Sequence, residues 1–449
     1  MGVQLPPPAP FFLFMTRNVT CEKLGEYKRI SLAYGKGKLN VNVPQHSRVL
    51  TAKDIVPISQ PQEIIQESLA KPIGSPPLCS IINQKKPKTM CIVVSDYTRP
   101  VPNKIILPPI LNELNRAGIA KQKITILIAT GMHRESTPAE KLELLGQEII
   151  DAYRVIDHNA RDKNSLVYFE INRIPVSVNK LYAESELKII TGFIEPHFMA
   201  GFSGGRKAIC PGISGIDTLK YFHGPKLLES PFANPGNLEN NPCHEFAVAV
   251  AKRVGVDFML NVLLNREKQI TGVFCGDLEK AFSTGVTECE SQTLVEVEKP
   301  FDIVITTNGG YPLDQNFYQS AKGLVGALEI VKENGLIICA SECCDGVGSP
   351  EFRELLFNMR SADSFIQMIS EPGYFQLDQW GVEELIKVLR KVTVQFYSTG
   401  LTVEEIKRCQ VQPISNIETG INRALNRYGQ NATIAVISEG PYLLMKLIK

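Results

Sequence analysis

The chain has 449 residues, enough for two or three domains, and its 44% hydrophobic content excludes wholesale disorder. Its 48 basic and 47 acidic residues leave a formal net charge of +1, which argues against electrostatic binding of DNA or RNA by the protein as a whole. No stretch reaches the roughly 18 apolar residues that span a bilayer, so we expect no membrane segment. Eleven cysteines without a paired C-x-x-C spacing favour reduced thiols in a cytoplasmic protein.

The first residues, MGVQLPPPAPFFLFMTRN, combine a proline cluster with a short apolar run. They lack the basic start of a signal peptide. Met15 is a more natural start for the folded chain. We therefore expect residues 1–14 to be a disordered extension that takes no part in the fold.

From residue 91 onward, apolar runs repeatedly end in a polar loop, and a helical pattern follows most of them. Runs that are apolar on both faces and alternate with helices indicate parallel β-sheets covered by helices, which is an α/β fold. The predicted strands are residues 91–96, 123–131, 187–192, 301–310, 335–341, 391–400 and 432–437. The predicted helices include residues 104–116, 317–332 and 417–428, and one that is capped by Thr137 with Pro138 and Glu140 in its first turn.

The largely polar segment 288–300, which ends in a proline, predicts a join between two such units. The first unit would cover residues 15–290 and the second residues 300–449. We expect the active site in the cleft between them. A C-terminal strand that crosses back to the first unit is compatible with the same pattern.

Two histidines follow predicted strands directly, His133 in TGMHR and His197 in GFIEPH. Ligands of parallel sheets bind beyond the carboxyl ends of the strands, so these loops are where chemistry is expected. One such histidine is ordinarily a hydrogen-bonded loop residue. Two of them can face one crevice, which favours a functional pair.

Asp96 and Arg99 occupy the same kind of loop, in the segment DYTRPVP. One interpretation is a local salt bridge across a turn set by Pro100. The other is that the planar guanidinium of Arg99 binds the two oxygens of a substrate carboxylate while Asp96 fixes a neighbouring ring. The D-x-x-R pattern alone does not decide between them.

The glycine-rich segment GFSGGRKAICPG, residues 201–212, carries Lys207. The Walker pattern is absent and no G-x-G-x-x-G follows the early strands, so an ordinary ATP or NAD site has poor support. Lys207 is then a solvated loop lysine, an anion contact or a nucleophilic amine. His223 has no companion ligands at metal-site spacing, and as a metal ligand it would need others from a cofactor.

A last polar group stands at the start of the helix predicted after residue 316. Tyr318 and Lys322 are four residues apart on one helical face, and Gln319 and Lys322 are three apart. Taken alone, they fit a solvated first turn. The alternative is that they supply polar substrate contacts from the second unit.

Taken together, DYTRPVP, TGMHR, EPHFMAGFSGGRK, YFH and PLDQNFYQSAKG, in this order and spacing, resemble the nickel-pincer-nucleotide-dependent lactate racemase family of 2-hydroxy acid racemases and epimerases. The resemblance runs from Leu39 to the C-terminus. Its most specific part is EPH-x-x-A-G-x-S-G-G-x-K, with 10 residues from His197 to Lys207 and 16 from Lys207 to His223. All of these motif positions match the family.

The resemblance implies a role for each residue. Lys207 would carry the cofactor, pyridinium-3-thioamide-5-thiocarboxylic acid mononucleotide, through a covalent thioamide bond. His223 would be the protein ligand of the cofactor's nickel, and imidazole with sulfur suits square-planar nickel. His133 and His197 would be the acid/base pair. The residues implied to contact or support the substrate are Asp96, Arg99, Tyr318, Gln319, Lys322 and Trp380.

The implied reaction is racemisation of a 2-hydroxy acid, with lactate as the leading substrate. The hydroxyl proton and a hydride are removed, and the keto acid is reduced again on its other face. Each enantiomer offers its hydroxyl to a different side, so two bases are needed, and histidine suits both. The pyridinium cofactor would store the hydride. The family also implies partner enzymes that make the cofactor: a carboxylase/hydrolase, a sulfur transferase and a nickel insertase.

Three alternatives stay open at this point. The substrate could be another 2-hydroxy acid, such as malate or a sugar acid. The chain could be a non-catalytic cofactor-binding protein of the same fold, although a carrier needs Lys207 and His223 but not His133 and His197. A dehydrogenase with a free nicotinamide cofactor is the third, and the missing dinucleotide fingerprint counts against it.

Overall fold

The computed structural model describes residues 27–51 and 53–448, so the extension expected over residues 1–14 lies outside the described residues. Two six-stranded sheets organise the described chain. The strands are β1 (Tyr27–Tyr34), β2 (Gly37–Pro44), β3 (Arg48–Leu50), β4 (Met90–Ser95), β5 (Ile124–Ala129), β6 (Arg154–Asp157), β7 (Leu166–Ile171), β8 (Ile174–Asn179), β9 (Leu187–Phe193), β10 (Pro196–His197), β11 (Gly201–Phe202), β12 (Phe258–Leu264), β13 (Ile270–Gly276), β14 (Leu294–Val297), β15 (Phe301–Thr307), β16 (Val331–Ala340), β17 (Thr393–Tyr397), β18 (Gln412–Pro413), β19 (Ile434–Ile437) and β20 (Leu444–Leu447).

Helices connect and cover these strands. They are α1 (Pro61–Ala70), α2 (Leu78–Lys85), α3 (Asn103–Arg116), α4 (Pro138–Leu145), α5 (Gln147–Ala152), α6 (Lys180–Ala183), α7 (Ile216–Phe222), α8 (Pro225–Leu228), α9 (Pro242–Val254), α10 (Lys280–Thr293), α11 (Phe317–Ala327), α12 (Pro350–Asn358), α13 (Ala362–Ser370), α14 (Gln379–Lys391), α15 (Val403–Arg408) and α16 (Ile417–Tyr428). Within residues 27–51 and 53–448, no helix has both the length and the apolar character needed to cross a bilayer.

The first large sheet has the strand order β13-β12-β9-β4-β5-β6. All neighbours are parallel except β13, which is antiparallel to β12. Alternate residues of β4 enter two different apolar clusters: Cys91 and Val93 pack on one face, and Ile92 and Val94 on the other. Burial on both faces explains why the strand is apolar without alternation.

The second large sheet has the order β18-β17-β16-β15-β19-β3, with every pair parallel. It is again buried on both faces, since Val304 enters one apolar cluster and Ile303 and Ile305 another. Its edge strand β3 comes from the beginning of the chain, and the hairpin β1–β2 packs on the sheet through Leu32 and Val41. Residues 27–50 therefore lie with the second sheet, whereas the sequence prediction placed everything from residue 15 in the first unit.

The predicted join at residues 288–300 contains the end of α10 followed by β14. β14 pairs in parallel with β20 near the C-terminus, and Leu444 of β20 packs in an apolar cluster of the first unit. The chain's last strand thus returns to the join. The α/β class with largely parallel sheets is confirmed, as is the capping box at Thr137, which accepts from the backbone of Glu140.

Candidate active site

The loops after three neighbouring parallel strands leave the first sheet at the same edge. β9, β4 and β5 lie side by side, and their carboxyl ends are Phe193, Ser95 and Ala129. Residues of the second unit complete a cavity of about 40 Å³ beside them. Its charged and polar lining residues are Arg99, Glu195, His197, Lys322 and Tyr442.

His133 is held by the buried carboxylate of Asp96. The distance from Nδ1 to Oδ2 is 2.6 Å, and Thr98 donates to the other carboxylate oxygen at 2.7 Å. Burial raises the pKa of Asp96, but the hydrogen bond and charge of His133 outweigh it and leave that pKa below its usual value. An ionised Asp96 keeps the proton of a neutral His133 on Nδ1. The outer Nε2 of His133 is then free to accept a proton.

His197 has the opposite arrangement. Its Nδ1 accepts weak hydrogen bonds from the backbone N–H groups of Met199 (3.4 Å) and Ala200 (3.3 Å), so the neutral ring carries its proton on Nε2. The ring stacks on Phe198, with 4.7 Å between centroids. Burial holds the pKa of His197 well below its usual range, and the charges of Lys207 and Lys322 add to this.

Lys207 lies in the short 3-10 helix Gly205–Ala208, directly after the glycine pair of the motif. Gly204 has φ +80, and a Cβ there would come within 2.6 Å of Oδ1 of Asn261, so only glycine fits. The Lys207 ammonium has no hydrogen bond or ion pair within residues 27–51 and 53–448. Burial holds its pKa well below the usual lysine value, with Arg99 and Arg206 contributing. Lys207 is therefore a half-buried, available amine.

His223 ends α7, and its Nδ1 donates to the carbonyl of Leu219 at 3.0 Å. Nε2 is left free as a metal ligand. Burial lowers the pKa of His223 to about 3, which keeps the ring neutral, and the charges of Lys207 and His133 act in the same direction. Trp380 lies against the His223 ring, with 4.7 Å between centroids.

The second unit contributes the first turns of α11, which Asn316 caps by accepting from the backbone N–H of Gln319. The Tyr318 hydroxyl accepts from Nε1 of Trp380 at 2.8 Å. Oε1 of Gln319 is buried and has no hydrogen-bond partner among the described residues. Burial lowers the pKa of Lys322 to about 7, and Arg99 contributes while Glu195 opposes. Lys322 is thus held close to the charges of the first unit.

The alternative of a local Asp96–Arg99 salt bridge is not what the structure contains. Asp96 pairs with His133, and the Arg99 guanidinium makes only long contacts to Thr98, of 3.3 and 3.4 Å. No carboxylate of the described residues lies within ion-pair distance of Arg99. The guanidinium remains available to an anion in the cavity.

Glu195 is a residue of this cavity that the sequence analysis did not single out. Burial raises the pKa of the Glu195 carboxyl above its usual value. The positive charges of Arg99, Lys322, Lys268 and Lys207 lower that pKa, but by less than burial raises it. The signal that could have found it is its place in EPH, directly after the strand β9 and two residues before His197.

Comparisons with known proteins identify the family of this chain. A family model described as the lactate racemase N-terminal domain matches residues 34–235, and one described as the lactate racemase C-terminal domain matches residues 296–445. The chain belongs to the lactate racemase family. The resemblance seen in the sequence is confirmed, and the chain is by this membership an isomerase.

Two relatives are similar along most of their length. The lactate racemase of Thermoanaerobacterium thermosaccharolyticum is 34% identical over 93% of this chain and 99% of its own. That of Lactiplantibacillus plantarum is 36% identical over 86% of this chain and 91% of its own.

Solved structures show the same relationship. The lactate racemase apoprotein from Thermoanaerobacterium thermosaccharolyticum has a TM-score of 0.87 and 32% identity, covering 93% of this chain and 100% of that one. A Thermotoga maritima protein has a TM-score of 0.65 at 17% identity, covering 87% of this chain and 99% of that one, which shows a shared fold alone.

Proposed function

We propose that this protein racemises lactate by moving a proton and a hydride, with His133 and His197 as its acid/base pair. The observation that carries the proposal is that His197 lines one cavity with the free cations of Arg99 and Lys322, while Asp96, three residues before Arg99, orients the oppositely arranged His133. The names of the relatives support lactate as the substrate.

Arg99 and Lys322 bind the substrate carboxylate in this proposal. A guanidinium offers a planar pair of donors, and an ammonium adds a point charge from the second unit. Glu195 lines the same cavity as both. The free Oε1 of Gln319 accepts a hydrogen bond from the substrate hydroxyl.

The two histidines exchange the hydroxyl proton. His133, with its proton held on Nδ1 by Asp96, takes the hydroxyl proton on Nε2, and protonated His197 gives a proton from Nε2 to the oxygen of the product with opposite configuration. The reverse reaction runs these two transfers backward. Burial depresses the pKa of His197, and the charges of Lys207, Lys322 and Arg99 add to this. A substrate carboxylate between Arg99 and Lys322 cancels part of that charge and raises the pKa of His197. Substrate binding thus favours protonation of His197.

The described residues fit the implied cofactor, a lysine-tethered nickel-pincer nucleotide. Lys207 is a half-buried amine without a partner among the described residues, as a thioamide tether requires, and the free Nε2 of His223 suits a metal. No three His, Cys, Asp or Glu side chains of the described residues form a metal site, so further ligands would come from the cofactor. When bound, the group would accept and return the substrate hydride. Its synthesis would need the carboxylase/hydrolase, sulfur transferase and nickel insertase partners.

The test uses protein purified from its own host. Its intact mass should exceed the mass of the sequence by that of the nucleotide, and Lys207→Ala should remove the excess. The loaded protein should interconvert D- and L-lactate. Active native protein of unmodified mass would refute the tether, and a loaded protein that leaves both lactates unchanged would refute the substrate.

A further inference from the structure

A cavity of about 310 Å³ adjoins the candidate active site. It lies between the loop after β9, the hairpin β12–β13, the end of α10 and residues of the second unit near Tyr442. Glu195, Pro196 and Tyr442 line both this outer cavity and the smaller one that contains His197 and Lys322. The two cavities therefore meet at a shared wall.

The rim of the outer cavity is exposed at the tip of the β12–β13 hairpin. Arg266 and Glu267 are exposed there, and Arg266 pairs with Glu439 of the second unit. Lys268 is more buried. Its ammonium donates to the Tyr442 hydroxyl at 3.0 Å and lies 4.4 Å from the centroid of that ring. No carboxylate of the described residues is within ion-pair distance of Lys268, so its charge faces the cavity at the wall shared with the active site.

The lining is unsuited to a tight binding site of its own. Apolar residues alternate with charges of both signs, and the Arg266 charge is already compensated. A mixed lining of this kind suits a passage, because a ligand must be able to enter it and leave it without being held tightly. The volume also exceeds that of a three-carbon acid several-fold, since a water molecule takes roughly 30 Å³ of liquid. Lys268 would attract an anion inward without trapping it.

We propose that this outer cavity is the route by which the 2-hydroxy acid anion reaches Arg99 and Lys322, passing Lys268 and then Glu195. The proposal rests on the proposed function for the identity of the anion. A route makes a specific kinetic prediction. An obstacle in it slows association and dissociation by the same factor and leaves the dissociation constant unchanged, because the free and bound end states are untouched.

Thr293, at the end of α10, lines the outer cavity, and its hydroxyl bonds to the carbonyl of Cys289 at 2.7 Å. Thr293→Phe narrows the cavity without altering a residue of the active site. Thr287→Phe is the matched control, because Thr287 is exposed on the same helix and its hydroxyl bonds to the carbonyl of Ser283 in the same way. Because phenylalanine is the residue introduced in both variants, Trp380 stays the single tryptophan of the chain. Trp380 contacts His223, so its fluorescence reports on the site.

The experiment follows Trp380 fluorescence in a stopped-flow instrument, with cofactor-loaded enzyme and 2-hydroxyisobutyrate. This probe is a 2-hydroxy acid without an α-hydrogen, so it cannot lose a hydride. We expect Thr293→Phe to lower the association and dissociation rate constants together by about tenfold or more, with the dissociation constant within about twofold of wild type. Thr287→Phe should leave all three unchanged. Should Thr293→Phe not fold, Lys268→Met is expected to lower the association rate constant and its salt dependence.

Unchanged rate constants in the folded variant would overturn the route. A raised dissociation constant with normal association would also overturn it, since the cavity would then belong to the binding site. Absence of probe binding to the wild type would overturn it as well. Failure of the proposed function shows itself separately, as wild-type protein that binds the probe yet racemises neither lactate enantiomer.

Discussion

The carboxylate of Asp96 accepts a hydrogen bond from Nδ1 of His133 at 2.6 Å, and this contact decides which nitrogen of His133 can act as a base. Asp96 is 3% exposed and its pKa stays below the usual value, so it remains an acceptor at neutral pH. Residues from two different βα loops are joined by this bond. The arrangement orients the ring before any substrate arrives.

Asp96→Asn should therefore impair catalysis with little effect on the fold. An amide N–H can donate to Nδ1, which moves the histidine proton to Nε2 and removes the base. We expect kcat to fall by about 10²–10⁴-fold. Asp151→Asn, at an exposed aspartate, is the control. A folded Asp96→Asn enzyme with wild-type kcat would contradict the orienting role.

Replacing either histidine alone should impair both directions of racemisation. Each turnover passes one proton on each side of the substrate, so loss of one base cannot be confined to one enantiomer. We expect His133→Ala and His197→Ala each to reduce conversion of D- and L-lactate by about 10²–10⁴-fold. Intact mass should still show a modified Lys207 in both variants. Near-normal racemisation in both would make the pair structural.

Lys322 should impose a pH dependence on substrate binding. Its pKa is lowered to about 7, chiefly by burial. The ammonium is present below that pH and is lost above it, so KM for lactate should rise as pH increases beyond about 7. Lys322→Arg carries a charge that persists above pH 12 and should flatten the rise. Identical pH profiles of KM in the two proteins would show that Lys322 does not bind the carboxylate.

Most of the fold could be predicted from local patterns. Strands buried on both faces are apolar throughout, which is why β4, β5 and β9 were recognisable, and the predicted helix 417–428 coincides with α16. The placement of β3 was not predictable. Its three residues pair with Ala435–Ile437, and no local signal marks a contact between such distant segments.

Some residues of the candidate site could likewise be predicted from the sequence, and others could not. His133, His197 and Lys207 stand in sequence motifs at strand ends, where parallel-sheet geometry makes function expected. Trp380, expected to flank the substrate, contacts His223 and donates to Tyr318 in the structure. The contact between Lys268 and Tyr442 depends on how the two units pack, because these two residues are 174 positions apart in the chain. Such a contact leaves no local pattern to recognise.

A prediction about stability concerns Glu383, on the face of α14 that packs near α8. It is fully buried, neither carboxyl oxygen has a hydrogen-bond partner among the described residues, and burial raises its pKa to about 9. The neighbouring Glu384 adds to this, while Lys387 and Arg390 oppose it. The unfolded chain ionises this group near pH 4.3, so the fold loses stability as pH rises from about 4.3 to about 9.

Glu383→Gln removes that loss because the amide does not ionise. We expect its Tm at pH 8 to exceed that of the wild type by about 4 °C or more, with nearly equal values at pH 4. Glu371→Gln, at an exposed glutamate after α13, should change neither value. The test is a thermal melt of each protein at both pH values. A Glu383→Gln protein less stable at pH 8 would mean that the ionised carboxylate has a favourable partner.

Arg99→Lys tests the carboxylate contact. Arg99 follows β4 in a loop, has no ion pair with a described carboxylate, and touches Thr98 only at 3.3 and 3.4 Å, so its replacement leaves the core intact. Lysine keeps the charge but cannot offer two parallel donors to one carboxylate. Loss of one charged hydrogen bond should cost about 1.5–3 kcal/mol, which lowers kcat/KM for lactate by about tenfold or more.

The measurement pairs kinetics with composition on the same cofactor-loaded sample. Racemisation of D- and L-lactate should fall together, because the carboxylate is common to both enantiomers, while Tm and nickel content stay at wild-type values, because neither the core nor His223 is touched. If Arg99→Lys loses nickel or unfolds while the surviving fraction has normal kinetics, Arg99 serves the structure instead. If lactate is not turned over by the wild type, larger 2-hydroxy acids should be compared first, since the guanidinium–carboxylate contact is common to them all.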